Sequence, residues 1–498
     1  MKILMAASEA VPFAKTGGLA DAVSALSLAL AKLGHEVRVV IPRYYSISRD
    51  SLKKLEGAMG VPVGGGEEWC AVYTAKLPGS AKQGSVPVYF IDHENFFGRD
   101  GIYGTPKEPD FLDNPRRFTF FCRSVFQLCR KIDWFPEILH AHDWPSALAP
   151  VFLKYGEKRG PRGKSGSFAG TVSVLTIHNL GYQGVYSRDN YPYTNLGWDI
   201  FHEAGFDDWN MMNFLKVGIN CAGKLNTVSP NYALETRTQA HGFRLDGALR
   251  YRSADYLGIL NGIDTAIWNP AKDPHIPRPY SAADMSGKAE AKEALQRKFS
   301  LPPEPDIPLI GMVTRLTGQK GVGELFYPGY GSAWSICRDM RVQMVLLGSG
   351  EAWCEHEAGS LSSRLSNFKA HIGYREDLSH LIEAGSDFFL MPSRYEPCGL
   401  NQMYSLNYGT LPIVRNTGGL ADTVENYNQD TGAGTGFMFN DLTPPAIYNT
   451  VGWAVWAYYN RRPHIEAMRL RGMKQNFSWK KSAEKYIKMY EDCLASKA

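Results

Sequence analysis

Two cations, Arg315 and Lys320, stand five residues apart just after the apolar run Leu309–Val313, which reads as a buried strand. Paired cations beyond a strand end suit a departing diphosphate, because negative charge builds on its phosphates as the bond to its substituent breaks. An Arg and a Lys in an ordinary surface loop is the plainer alternative. Glu396 follows the apolar run Phe388–Met391 in a turn bounded by Pro392, Pro397 and Gly399. A carboxylate there could bind sugar hydroxyls, balance the nearby cations, or only cap the turn. In the first half, His178-Asn179 follows Val172–Ile177, and the run Ile138–His140 leads into His140-Ala-His142-Asp143-Trp144. A lone histidine after a strand is more often a hydrogen-bonded structural residue than a reactive one. A His-x-His pair also serves metal-dependent hydrolases, but these need further ligands on later barrel strands, and no barrel pattern is present. No Asp-x-Asp occurs in the chain, so the short metal motif of many sugar transferases is missing. The expectation is therefore no metal and no cofactor, with positive charge supplied by Arg315, Lys320 and two glycine turns.

Those turns form an internal echo. Residues 16–23 read TGGLADAV and residues 417–424 read TGGLADTV, each between an expected strand and an expected helix. Chance or an old duplication would explain the match. A functional reading is that both turns serve one ligand, since glycines admit close backbone approach and helix N-termini offer N–H donors to phosphate. A pyrophosphate-linked sugar held across an interdomain cleft would suit two such turns.

The elements that must hold these groups alternate. The strand Ile3–Ala7 precedes a helix with apolar residues at Leu19, Val23, Leu26, Leu30 and Leu33, stopped by Gly34. Further strands are expected at Val37–Ile41, Val86–Asp92, Ile138–His140, Val172–Ile177 and Leu225–Val228. A second series is expected to open with Leu257–Leu260 and to continue at Leu309–Val313, Val342–Leu347, Phe388–Met391 and Leu411–Val414. Strands alternating with helices in both halves predict an α/β fold of two Rossmann-like, doubly wound parallel-sheet domains, whose ligands bind beyond the carboxyl ends of the strands. The expected division is residues 1–255, 256–476 and a terminal helix within 477–498. That helix, Trp479–Leu494, places Trp479, Ala483, Tyr486, Ile487 and Tyr490 on one face, which needs an apolar surface to lie on.

A chain of 498 residues exceeds what one core of roughly 250–300 residues can fill. Its formal net charge of +4 is small for this length and predicts no nucleic-acid partner, for which a concentrated basic stripe is required. The basic stretch 154–164 is rich in Gly and Ser and reads as a solvated loop. Eight cysteines without CxxC spacing argue against a disulfide framework and fit a reducing compartment. The opening MKILMAASEA is too short for a signal-peptide core, and no stretch approaches the ~18 apolar residues of a membrane span. A cytoplasmic protein with no membrane partner is expected.

Taken together, the motifs resemble one family, the bacterial glycogen synthases and plant starch synthases. The resemblance rests on Lys15-Thr-Gly-Gly-Leu-Ala-Asp21, HAHDW (140–144), TIHNLGYQG (176–184), NGIDTAIWNP (261–270), TRLTGQKG (314–321), HIGYREDLSH (371–380), PSRYEPCGLNQ (392–402) and RNTGGLADTV (415–424), in the family's order. It implies a GT-B glycosyltransferase fold with two domains facing across a cleft, the last helix crossing back to the first domain. It implies retaining transfer of glucose from a nucleotide sugar to the non-reducing 4-hydroxyl of an α-1,4-glucan such as glycogen. By resemblance, Arg315 and Lys320 hold the donor diphosphate with the backbone at Gly17, Gly18 and Thr417-Gly418-Gly419-Leu420, and Lys15 sits near the phosphate. Glu396 and Asn261 contact the glucose, and His178 its 6-hydroxyl, the His178 carbonyl facing the anomeric carbon. Asp143 and Asp21 line the sugar and acceptor side, and Tyr374 and Tyr103 border the nucleobase. The resemblance also implies a front-side mechanism with water excluded by domain closure. ADP-glucose is expected over UDP-glucose as the donor.

Two departures from the family pattern stand out. Gly323, Pro328, Gly329 and Gly331 interrupt a segment that is usually one leucine-rich helix, so a shorter or kinked helix is expected. Tyr404, eight residues after Glu396, stands where many related transferases carry a second Glu. Rival readings are a nucleotide-sugar epimerase, a glucan phosphorylase or a non-catalytic glucan-binding protein of the same fold. A phosphorylase needs a cofactor-anchoring lysine and a longer chain, and a scaffold would be expected to have eroded Lys15, Arg315, Lys320 or Glu396.

Overall fold

A computed structural model describes residues 1–79, 85–158 and 166–496. The chain forms two compact units, one of residues 1–228, 233–262 and 479–498, the other of residues 229–232 and 263–478.

In the first unit the strands are β1 (Lys2–Ala6), β2 (Glu36–Pro42), β3 (Lys53–Lys54), β4 (Met59–Val63), β5 (Gly66–Lys76), β6 (Pro87–Asp92), β7 (Ile138–His142) and β8 (Val172–Ile177). They are followed by β9 (Val185–Ser187), β10 (Asp207–Asp208), β11 (Met211–Asn213), β12 (Lys224–Thr227) and β13 (Tyr256–Gly258). The main sheet runs β13-β12-β8-β7-β1-β2-β6-β5-β3, with β4 on β5, while β9–β11 make a separate small sheet. From β13 to β6 every pairing is parallel. Strands β1, β7 and β8 are buried on both faces, which is why they read as continuous apolar runs. The antiparallel edge β3–β5 gives a weaker signal, since β5 mixes Glu67, Glu68 and Lys76 with its apolar residues.

The strand expected to open the second half belongs to the first sheet: β13 pairs with β12, Leu225 opposite Tyr256. The two apolar runs look alike in sequence, and only the pairing separates them. The second unit has a six-stranded sheet of β14 (Leu309–Val313), β15 (Gln343–Gly348), β16 (Phe368–Ile372), β17 (Phe388–Met391), β18 (Leu411–Arg415) and β19 (Phe437–Phe439). Its order is β16-β15-β14-β17-β18-β19, parallel throughout. Each unit is thus a doubly wound α/β domain.

The interrupted segment after Lys320 forms two short helices, Val322–Phe326 and Ser332–Asp339, parted by a turn in which Gly329 has φ of 70°. The basic stretch at 154–164 is not all loop: Leu153–Glu157 continues the preceding helix as a wide turn, and 159–164 lie outside the described residues. The terminal helix, Trp479–Ala495, buries Ala483, Tyr486 and Tyr490 as expected, together with Ser482, Met489 and Cys493. Trp479 and Ile487 stay partly exposed, so the buried stripe is turned from the expected one. It belongs to the first unit, where the Tyr490 hydroxyl meets His140 Nδ1 at 2.8 Å and the Asn226 amide donates to the Tyr486 hydroxyl at 3.0 Å.

Candidate active site

In both units the candidate side chains follow parallel strands at their carboxyl ends. After β1, Ser8 and Glu9 are buried, and the Glu9 carboxylate collects the loop that follows. It accepts from the Thr16 hydroxyl at 2.8 Å, from the Thr16 N–H, from Gly17 N–H at 3.4 Å and from the Tyr103 hydroxyl at 2.5 Å. The first glycine turn is thus anchored by an acid that motif reading passed over. Its signal was its place: Glu9 stands just beyond a strand end, like the residues that were singled out. Because Gly17 N–H turns toward Glu9, the donors left for a ligand are the first N–H groups of the helix Gly18–Lys32. These lack intrahelical acceptors, and no side chain caps them. A Cβ added at Gly17 or Gly18 would meet nothing within 4 Å.

Lys15 and Asp21, given separate roles by sequence, pair with each other at 2.8 Å on the surface of the first unit. Lys15, Thr16 and Tyr103 line a recess of about 580 Å³ with Tyr44, Arg99 and Gly104. Tyr103, expected beside the nucleobase, is tied into the Glu9 network, and burial and the Glu9 charge push its hydroxyl pKa well up.

After β7 and β8 lies a histidine cluster. His140 bonds the Thr176 hydroxyl at 2.6 Å and the Tyr490 hydroxyl, which makes it a structural residue. His142 Nδ1 is 3.1 Å from His178 Nε2. Burial holds the His178 imidazole neutral, its pKa pushed down to about 3, and drives that of His142 well down. Asp143 has φ of 55° and ψ of −175°, a backbone region nearly confined to glycine that costs about 1–3 kcal/mol. Its Oδ1 accepts from His178 N–H at 2.6 Å and Asn179 N–H at 3.4 Å. Burial nonetheless raises its pKa to about 7 against these bonds, with the Glu9 charge adding to the rise. Asn261, 7% exposed, keeps its Oδ1 without a protein partner among the described residues.

The raised acid at Asp143 gives a first test. Between about pH 4 and 7 the folded chain holds a proton that the unfolded chain releases. The resulting stability is complete below pH ~4 and lost as pH rises through 7, on the order of 4 kcal/mol across that span. Urea midpoints for Asp143→Asn should lack this slope. An equal slope in wild type and variant would remove the assignment.

In the second unit, Arg315 follows β14 and is exposed, its guanidinium without a protein partner among the described residues. Lys320 is the opposite case. Its ammonium lies 2.6 Å from the carboxylate of Glu396, which is 6% exposed and also accepts from the Ser393 hydroxyl at 2.8 Å. The two loops interlock: Arg394 N–H donates to the Gln319 carbonyl, and Gly321, with φ of 71°, lies where a Cβ would come within 2.0 Å of the Pro392 carbonyl oxygen. Tyr374, 69% exposed, follows β16.

The second glycine turn differs from its twin. Gly419 N–H donates to the Glu396 carbonyl at 3.0 Å and Leu420 N–H to that of Thr417 at 3.1 Å. These donors, expected to face a phosphate, are committed within the unit. A Cβ at Gly418 would fall 1.9 Å from the Glu396 carbonyl oxygen and one at Gly419 2.0 Å from that of Cys398. Identical letters therefore answer to different needs, open space in one unit and tight packing in the other. Tyr404 stacks on Trp268 at 3.8 Å, and Trp268 on His380 at 3.9 Å, so the position of the missing second Glu is part of an aromatic stack.

The model of the starch synthase catalytic domain matches residues 2–251, and that of glycosyl transferases group 1 matches residues 294–449. A glycogen synthase of Treponema denticola is 56% identical over 100% of this chain and 99% of its own. Glycogen synthase 1 of Geobacter metallireducens is 46% identical over 99% and 96%. The catalytic domain of starch synthase IV from Arabidopsis thaliana, bound to ADP and acarbose, superposes with a TM-score of 0.87 at 31% identity, covering 99% of both chains.

Proposed function

Because the chain belongs to the family of bacterial glycogen synthases and plant starch synthases, we propose that it moves glucose from ADP-glucose to the 4-hydroxyl at the non-reducing end of an α-1,4-glucan, with retention. The observation that carries the reading is the cation pair of the second unit. Lys320 is set by a buried carboxylate, while Arg315 has its guanidinium free to meet phosphate oxygens. The ADP bound to the Arabidopsis relative supports the adenine donor.

In this reading Arg315 and Lys320 take up charge as the bond from the anomeric carbon to the diphosphate breaks. Glu396 orients Lys320 and accepts from a glucose hydroxyl. On the same face, the incoming 4-hydroxyl forms the new bond and gives its proton to the leaving phosphate oxygen, so no protein nucleophile is required. His178, held neutral, can donate or accept at the 6-hydroxyl, and Asn261 offers its unpartnered oxygen to the sugar. Asp143, fixed by the His178 and Asn179 N–H groups, shapes the acceptor side. Among the described residues no helix is long and apolar enough to cross a membrane.

Nucleotide release decides the matter. ADP should be released from ADP-glucose only when glycogen is present, and faster than UDP from UDP-glucose under the same conditions. Release without glucan would favour an epimerase or hydrolase, and faster UDP release would overturn the donor.

A further inference from the structure

Arg315 and Lys320 ride on one loop, and the two are held differently. Lys320 has Glu396, while the Arg315 guanidinium has no protein partner among the described residues. The place of Arg315 therefore depends on how its backbone is held. Leu316 N–H donates to the Ser349 carbonyl and Glu351 N–H to the Leu316 carbonyl, both at 2.8 Å. The loop after β15 packs so closely here that a Cβ at Gly350 would fall 2.3 Å from the Leu316 carbonyl oxygen. One side-chain bond completes the hold: Glu351 Oε1 accepts from Gly318 N–H at 2.9 Å.

Glu351 is an odd choice for its own helix. It stands at the N-cap of Ala352–Arg364, where Ser, Thr, Asp or Asn serve best, and it makes no capping bond. Its carboxylate turns instead to Gly318, the first residue of the tight turn Gly318–Lys320. The second oxygen accepts from the Trp353 indole N–H at 2.6 Å, which fixes the orientation of the carboxylate. Trp353 in turn packs on Tyr327 with ring centres 5.0 Å apart. Tyr327 ends the first short helix of the interrupted segment and is 58% exposed, so its ring adds little to the core. The same segment meets the other candidate loop, where Arg394 pairs with Glu324 at 2.6 Å.

We propose that Glu351 is a positioning residue for the donor diphosphate, and that the segment after Lys320 sets it through Tyr327 and Trp353. The carboxylate itself touches no phosphate. It fixes Gly318, and with it the spacing of Arg315 and Lys320 on either side. A shift of that turn by a fraction of an ångström spoils a two-cation contact while leaving the fold intact. The helix-breaking residues of the segment then have a use. Gly331 N–H closes on the Tyr327 carbonyl at 2.7 Å, so the chain turns away and leaves the Tyr327 ring against Trp353. The proposal rests on the nucleotide-sugar donor argued above and adds how its cations are held.

The test is two substitutions and their combination. Glu351→Gln offers one acceptor oxygen and an NH2 group, so it cannot serve Gly318 and Trp353 together. Its KM for ADP-glucose should rise about 3- to 10-fold, with the KM for glycogen and the melting temperature hardly changed. Losing a negative charge near a diphosphate would by itself lower that KM, so a rise reports lost position. Trp353→Phe removes the indole N–H and keeps a ring, and should change the donor KM less than about 2-fold. In the double variant the Gln oxygen is free for Gly318, and the donor KM should return toward that of Trp353→Phe. Tyr327→Ala should raise the donor KM about 2- to 5-fold. Hydrogen exchange across residues 314–320 should quicken in Glu351→Gln and recover in the double variant. An unchanged donor KM in Glu351→Gln or Tyr327→Ala would overturn the proposal. So would a double variant no better than Glu351→Gln, or an equal rise in the KM for glycogen. A wild type that releases no nucleotide while the exchange pattern holds would sink the proposed function and leave this positioning standing.

Discussion

Lys320→Ala and Glu396→Ala should each lower turnover with saturating donor and glycogen by at least about 10²-fold, the scale of losing one preorganised electrostatic contact. The two differ in stability. Lys320→Ala leaves the Glu396 carboxylate, buried and bonded to Ser393, without its cation. Removing one partner of a buried pair costs about 3–5 kcal/mol. Glu396→Ala leaves a lysine that is less enclosed and can reach water more readily. The double variant should therefore regain stability over Lys320→Ala while staying inactive. Steady-state turnover and thermal unfolding on the same three proteins give the answer. Near-wild-type turnover in both single variants would refute the assigned roles.

The twin glycine turns should respond to alanine in opposite ways. Gly418→Ala and Gly419→Ala force a Cβ to within about 2 Å of carbonyl oxygens of the loop that carries Glu396. Backbone must move to admit it, at a cost of about 3 kcal/mol or more, or roughly 6–12 °C in the melting temperature of a domain this size. Gly17→Ala and Gly18→Ala meet no atom within 4 Å, so melting should hardly change. Their turnover should nonetheless fall about 10- to 10²-fold, as expected when a bound diphosphate is displaced by a fraction of an ångström. Equal losses of stability in both pairs would mean that the two turns do the same structural work.

Much of this was legible in the residues. Parallel strands buried on both faces leave plain apolar runs, and β1, β7, β8, β14, β17 and β18 were all readable within a residue or two. Apart from β13, which was expected but assigned to the wrong half, strands at the sheet edges and in the small sheet were not. Phe368–Ile372 mixes Lys369 and His371 with apolar neighbours, and β10 has only two residues. The candidate groups of the second unit were singled out by their place after strands. Which cation is paired could not be read, because the Lys320–Glu396 contact joins residues 76 apart in the chain. Glu9 was missed for a related reason: its partners Thr16 and Tyr103 lie 7 and 94 residues away, and no local pattern joins them. The repeated octet shows the converse hazard, since eight nearly identical letters concealed two different packing demands.

The first unit is also finished late. The imidazole of His140 and the amide of Asn226, both fully buried, find hydroxyl partners on Tyr490 and Tyr486. Synthesis must therefore pass Tyr486 and Tyr490 before these polar groups at the centre of the first sheet are satisfied. The His142 ring packs at a tilt against those of His140 and His178, 4.1 and 5.3 Å away, so the carboxyl end of that sheet inherits the same delay. A chain cut before Trp479 leaves His140 Nδ1 and the Asn226 amide without these hydroxyl partners.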